Sequence, residues 1–263
     1  MKAEYRKVAL VTGAARRIGR VIALALAERG WDVAVHYRFS EADAHATVRD
    51  IEALGRRAVA LHCDLADEDA VKALLPRAAA ALGPLSCVVN NASNFEHDSV
   101  DEFSVGSLEL HMRTNLAAPI LLARALHDAT PLGGQSVVIN LLDQKLDNLN
   151  PSFLSYTLSK SALSTATTML AQELAPKLRV VGIAPGITLV SANQTEADFE
   201  LAHTVTPLGR SSTPEDIAAT VCFLVESRAI TGTTIMVDGG QHLIPLRQDV
   251  MFVAKISTNN NES

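Results

Sequence analysis

Aromatic residues make up only 4% of this chain of 263 residues, with a single tryptophan. Cysteine is scarcer: Cys63, Cys87 and Cys222 are far apart and odd in number. No CxxC or Cys/His cluster carries zinc spacing, so reduced core thiols and no metal are expected. No apolar run reaches the ~18 residues of a membrane span. The charged start, Met1 to Lys7, does not read as a signal peptide. Both features point to the cytoplasm. Proline-rich or serine-rich linkers and internal repeats are lacking, which favours one domain. The formal charge of -6 argues against a nucleic-acid backbone or a membrane as the main partner.

Aliphatic residues are what the chain has in quantity. It is 48% hydrophobic and 20% charged, too apolar for a disordered chain. Short apolar runs lie at Val8–Val11, 32–36, Ala58–His62, Cys87–Asn90, Ser136–Leu141, 180–183 and 233–237. Between them are Ala- and Leu-rich helical patterns at 21–29, 42–54, 69–82 and 156–174. This alternation predicts an α/β fold. The expected architecture is a single-domain, doubly wound parallel sheet (a Rossmann fold) of about seven strands with helices on both faces. The domain is expected over 1–245. Residues 246–263 form an extension whose last residues, 257–263, read as disordered.

The first strand runs into Thr12-Gly13-Ala14-Ala15-Arg16-Arg17-Ile18-Gly19-Arg20, and a helical pattern follows. Such a turn aims N–H groups and a helix N-terminus at a phosphate. Gly13 permits a tight turn, and Gly19 permits close packing of the helix. Arg16, Arg17, Arg20 and Arg38 gather near the expected pyrophosphate, and a guanidinium suits phosphate. The second strand ends at His36-Tyr37-Arg38-Phe39-Ser40 with no acid for the ribose hydroxyls. Arg38 and Ser40 suit a 2′-phosphate, which predicts NADPH over NADH.

Tyr156 and Lys160 lie four residues apart, on one helix face. A phenol titrates at about 10, and a nearby ammonium favours its ionised form. A tyrosine so placed can deliver a proton near neutral pH.

With these motifs in order, the chain resembles the short-chain dehydrogenase/reductase family from Val8 to about Leu243. The further motifs are Asp64-Leu65, Asn90-Asn91-Ala92-Ser93, Asn115, Pro185-Gly186 and Val237-Asp238-Gly239-Gly240. The resemblance implies Asp64 and Leu65 near the adenine, and Asn91 and Ala92 along the cofactor. It implies Asn115 in a water-borne proton relay, Lys160 on the nicotinamide ribose and Tyr156 as proton donor. Pro185, Gly186 and Thr188 border the nicotinamide. It also implies a variable substrate loop at 187–208 and a homo-oligomer, a tetramer or dimer, built with the 214–225 helix and the 233–237 strand.

Three departures agree with one another. Asp143 stands thirteen residues before Tyr156, where the family usually has serine. Arg17 replaces the middle glycine, and Ser93, followed by Phe95, replaces another. This set resembles the pteridine reductase branch, which includes dihydromonapterin reductases. A pterin is flat and edged with donors and acceptors. Phe95 can stack on its face, Ser93 can bond its edge, and Arg17 can bind its carbonyl or a cofactor phosphate. Asp143 and Tyr156 can relay the proton that reduction of a ring C=N requires. The alternatives are an NADPH-dependent carbonyl reductase, of a 3-oxoacyl thioester for example, and a non-catalytic NADP-sensing protein.

Overall fold

A computed structural model describes residues 7–190, 194–249 and 252. Strand β1 (Val8–Val11) is buried at every position. It pairs in parallel with β2 (Asp32–Tyr37) on one side and β4 (Cys87–Asn90) on the other. Outside β2 lies β3 (Ala58–His62). Beyond β4 follow β5 (Ser136–Leu141), β6 (Leu178–Pro185) and β7 (Thr234–Val237). The order is β3-β2-β1-β4-β5-β6-β7, all parallel. Central strands of a parallel sheet are covered on both faces, which is why they read as unbroken apolar runs.

The helices supply those covers. On one face, α1 (Arg17–Glu28), α2 (Glu41–Ala53) and α8 (Pro214–Glu226) bury Ile22, Leu26, Ile51, Ile217 and Val221. On the other, α3 (Glu68–Leu82), α5 (Ala118–Ala129) and α6 (Leu154–Glu173) bury Leu74, Leu122, Leu126 and Ala171. Full burial of a leucine or isoleucine stabilises by roughly 1.5–3 kcal/mol each. The chain changes direction of winding between β1 and β4. That switch opens a crevice at the carboxyl ends of the strands, where open α/β sheets bind ligands.

Helix α4 (Val105–Met112) joins α5 through a π-helical turn, Arg113–Ala117, that carries Asn115. Inside the 187–208 segment lies a helix, α7 (Glu196–Thr204), begun by a capping box of Thr195 and Asp198. Residues 191–193 of that segment, and the whole of 257–263, lie outside the described residues. All three cysteines are buried and free. Burial pushes the Cys63 thiol up to about 11 and the Cys87 thiol to about 12. Among the described residues, no helix is long and apolar enough to cross a membrane.

Candidate active site

The turn after β1 is held from below. Gly13 has a φ of +64°, the left-handed region that glycine enters freely. Its N–H donates to His36 Nδ1 at 3.0 Å, and His36 Nε2 meets the Cys63 carbonyl at 3.0 Å. Nδ1 must accept, so Nε2 carries the proton and donates. His36 is 2% exposed, and burial pushes its pKa down to about 4. These bonds give His36, expected from the sequence as a cofactor residue, a structural task at the turn. Both ring nitrogens serve the protein, and the residue fixes the turn.

A consequence follows for stability. The unfolded chain takes up this proton near pH 6.5, and the folded chain only near 4. The stabilisation is therefore full above pH 6.5 and lost as pH falls toward 4, by about 3 kcal/mol in all. His36→Asn keeps an acceptor near Nδ1 and does not titrate. We expect urea unfolding of the variant to show a shallower loss of stability between pH 6.5 and 4.5. Parallel losses in the two proteins would remove His36 as the cause.

Gly19 has a second steric reason. A Cβ there would stand 2.2 Å from the Gly13 carbonyl oxygen and 2.5 Å from the Asn91 amide. The helix packs close to the loop itself, and the loop is tied to β4 through Thr12. The Thr12 hydroxyl accepts from the N–H groups of Asn91 and Ala92, each at 3.0 Å. Arg17 adopts a φ of +53° where the family has glycine. A side chain in this region costs about 1 kcal/mol. The strain aims Arg17 into the cavity, where its guanidinium donates to the Val190 carbonyl at 3.1 Å.

The donors fit a dinucleotide with a 2′-phosphate. Arg16 caps α1 without a side-chain bond, so its side chain takes none of the first-turn N–H groups. Ser40 likewise makes no side-chain cap on α2. Arg38 pairs with Asp64 at 2.8 Å, which neutralises the nearby carboxylate. The other Asp64 oxygen accepts from Ala66 N–H at 3.0 Å, and Leu65 is buried. Tyr37 packs edge-on against His62. The expected arginine cluster is smaller than the sequence implied. Arg20 turns to Asp50 at 2.6 Å and Arg16 to Asp43 at 3.4 Å, both on α2.

Further along the crevice, one cavity brings together eleven expected residues: Arg17, Ile18, Asn91, Ser93, Phe95, Asp143, Tyr156, Lys160, Pro185, Gly186 and Thr188. Tyr156 sits in the first turn of α6 and is 6% exposed. Its hydroxyl donates to Asp143 Oδ2 at 2.7 Å. Asp143 Oδ1 accepts from Lys145 N–H at 2.8 Å, which fixes the carboxylate. Lys160 Nζ donates to the Leu141 carbonyl at 2.7 Å and lies 5.7 Å from the Tyr156 ring centre.

The electrostatics correct one expectation. Burial and the Asp143 carboxylate hold the Tyr156 phenol well above 10, so the ammonium does not acidify it. Burial also raises Asp143 and pushes Lys160 down to about 8. The tyrosine and aspartate share a proton that both hold tightly.

Asn115 is 1% exposed. Its amide donates to the Asn94 carbonyl and the Ser159 hydroxyl, each at 3.0 Å, and its oxygen accepts from Asn94 N–H at 2.8 Å. Its side chain therefore positions the 93–94 segment and α6. Ser93 donates to Asn94 and Asn115 oxygens at 3.2 and 3.3 Å. Phe95 stacks on Phe153 at 4.4 Å, meets Tyr156 edge-on at 4.7 Å, and remains 44% exposed.

A family model described as enoyl-(acyl carrier protein) reductase matches residues 13–242. The chain belongs to the short-chain dehydrogenase/reductase family. Among solved structures it is similar to FolM alternative dihydrofolate reductase 1 of Brucella suis, in complex with NADP. They share 41% identity over 91% of this chain and 96% of that one, with a TM-score of 0.87. A short-chain dehydrogenase of Burkholderia cenocepacia, also in complex with NADP, is 34% identical over 89% and 96%, with a TM-score of 0.83. By sequence, the 3-oxoacyl-[acyl-carrier-protein] reductase FabG of Staphylococcus aureus is 36% identical over 90% of this chain and 98% of its own.

Sequence reasoning missed four residues of this oxidoreductase. Asp98 accepts from the Ser155 N–H at 3.0 and 3.2 Å and from its hydroxyl, which satisfies the start of α6 and sets Tyr156. Phe153 carries the αL turn before α6 at a φ of +57°. Lys145, buried, and Asp249, partly exposed, form an ion pair at 2.9 Å beside the cavity. No local spacing signals any of these, because their partners lie far away in sequence.

Proposed function

We propose that this chain uses NADPH to reduce a pterin or dihydropterin, delivering hydride to the carbon of a ring C=N and a proton to its nitrogen. Membership of the family and its NADP-bound neighbours make it an NADP-dependent oxidoreductase. The finer reading rests on one observation above all: Asp143 meets the Tyr156 hydroxyl at 2.7 Å in a buried cavity. A ketone needs a neutral hydrogen-bond donor at that point, and a carboxylate is none. A ring nitrogen needs a proton, which the pair holds. The similarity to FolM alternative dihydrofolate reductase 1, at 41% identity, supports the same reading.

NADPH supplies the hydride when bound. Gly13, Arg17, Ile18 and Gly19 hold its pyrophosphate, with His36 acting through Gly13. Tyr37, Arg38 and Ser40 surround the 2′-phosphate, and Asp64 and Leu65 the adenine. Asn91, Ala92, Pro185, Gly186, Thr188 and Lys160 hold the nicotinamide end. Phe95 covers one face of the substrate ring, while Ser93 and Arg17 meet its edge. Tyr156 passes the proton with Asp143 behind it, and Asn115 orders the 93–94 segment.

A 3-oxoacyl reductase is the second reading, favoured by the similarity to FabG. The deciding assay follows NADPH oxidation by purified protein with dihydropterins, biopterin, folates, ketones and a 3-oxoacyl thioester. Turnover of ketones or thioesters with no pterin would overturn the proposal. For the cofactor, Arg38→Ala is expected to weaken NADPH binding at least about tenfold, since it removes a charge-assisted contact and frees Asp64. NADH binding should change little. Equal losses for both cofactors would refute the 2′-phosphate role.

A further inference from the structure

The cavity wall beyond Asp143 comes from the end of the described chain. Asp249 lines the cavity, and its Oδ2 accepts from Lys145 Nζ at 2.9 Å. The same ammonium donates to the Ser152 carbonyl at 2.6 Å and stands 5.3 Å from the Phe153 ring centre. Asn148 bonds Ile244 and Leu246 at 2.5 and 3.3 Å, and Asp249 N–H donates to the Ser152 hydroxyl at 3.4 Å. Phe252 lies parallel to Phe153 at 6.2 Å, and Phe153 stacks on Phe95. Residues 244–249 and Phe252 are thus fastened along the 143–153 loop.

Stability alone does not explain the ion pair. Lys145 is 2% exposed, and taking its charge out of water costs energy that a partner such as Asp249 commonly only offsets. Its position is more telling. Lys145 fixes Asp143 through its N–H and Asp249 through its ammonium, so one residue sets both carboxylates of the cavity.

We infer that Asp249, clasped by Lys145, is a specificity-determining residue that offers a second carboxylate to the N–H edge of a compact planar ring and so favours such a ring over an extended acyl chain. The inference rests on the pterin reading. An amino-oxo heterocycle presents N–H donors that a carboxylate accepts well. A 3-oxoacyl thioester presents no ring N–H edge to that carboxylate and meets the fastened segment instead. Asp249 also strengthens the hold of Asp143 and Tyr156 on their proton, against the Lys160 charge and the Lys145 N–H bond on Asp143. Arg17 lines the same cavity, and the Lys145 ammonium is paired with Asp249 itself.

The test compares the full-length wild type with Asp249→Asn and with the charge exchange Lys145→Asp/Asp249→Lys. Each is assayed with a dihydropterin and a 3-oxoacyl thioester across pH. Asp249→Asn should lower kcat/KM for the dihydropterin about tenfold, mostly through KM. It should raise the thioester-to-dihydropterin ratio and move the pH profile to lower pH. The exchanged pair should remake the clasp, read as thermal stability, without recovering dihydropterin kcat/KM. An Asp249→Asn enzyme with an unchanged ratio and profile would overturn the inference, as would recovery by the exchanged pair. A wild type inactive on every dihydropterin overturns the pterin reading, and that failure is visible before any variant is made.

Discussion

Asp143→Ser is expected to lower dihydropterin turnover by a hundredfold or more, roughly what loss of a general acid–base partner removes. NADPH affinity should stay near wild type. Asp143 Oδ2 holds the Tyr156 hydroxyl at 2.7 Å, and Lys145 N–H holds the other oxygen at 2.8 Å. Burial raises the carboxyl, and burial with Asp143 raises the phenol, so the pair retains a proton at neutral pH. Serine can donate a hydrogen bond to a carbonyl but cannot replenish the proton that Tyr156 gives away. The same substitution should therefore increase reduction of simple ketones or thioesters. The fold should tolerate it, because a carboxyl raised above its ordinary range is disfavoured as the anion in the folded state. Steady-state kcat on both substrate classes, with fluorescence titration of NADPH, checks this. An unchanged dihydropterin rate would take Asp143 out of the mechanism.

Lys160→Met should pull stability and activity in opposite directions. Lys160 is 3% exposed, and its ammonium donates to the Leu141 carbonyl at 2.7 Å. Burial lowers its pKa from 10.5 to about 8. Below pH 8 the folded chain carries a buried charge at a cost of about 3 kcal/mol relative to the unfolded chain. As pH rises from about 8 to 10.5, the folded lysine is neutral while the unfolded one stays protonated, so that cost is relieved. Methionine removes the charge at every pH and fills similar volume. Cofactor-free Lys160→Met should thus melt several degrees above wild type at pH 7, with the gap closing toward pH 10. Turnover should fall by a hundredfold or more, since the cation that orients cofactor and tyrosine is gone. Scanning calorimetry at the two pH values, with NADPH oxidation assays, measures both. A variant less stable than wild type at pH 7 would show that the Leu141 bond outweighs the buried charge.

Conformational strain marks the same region. Arg17 and Phe153 are the two non-glycine residues at positive φ among those described. One reaches into the cavity, and the other carries the stack beneath Phe95. Strained backbone persists where surrounding structure over-determines it, commonly at functional sites.

The residues of the chain determined the sheet, because strands covered on both faces must be continuously apolar and their crossovers must be helical. Periodicity also put Tyr156 and Lys160 on one helix face, and the absence of an acid after His36 pointed to a phosphorylated ribose. Those features are local, so spacing carries them. Other outcomes depended on what folding brings near. His36 reads in the sequence as a cofactor residue, and only the fold shows both its ring nitrogens engaged by the protein. Tyr156 looked acidified by Lys160, but exclusion of water and the Asp143 charge raised its proton affinity instead. The Lys145–Asp249 pair spans 104 residues, beyond any sequence period. Backbone geometry repeats along a chain and can be read there. Burial and the field at a titrating group belong to the folded surroundings, and only the tertiary structure decided them.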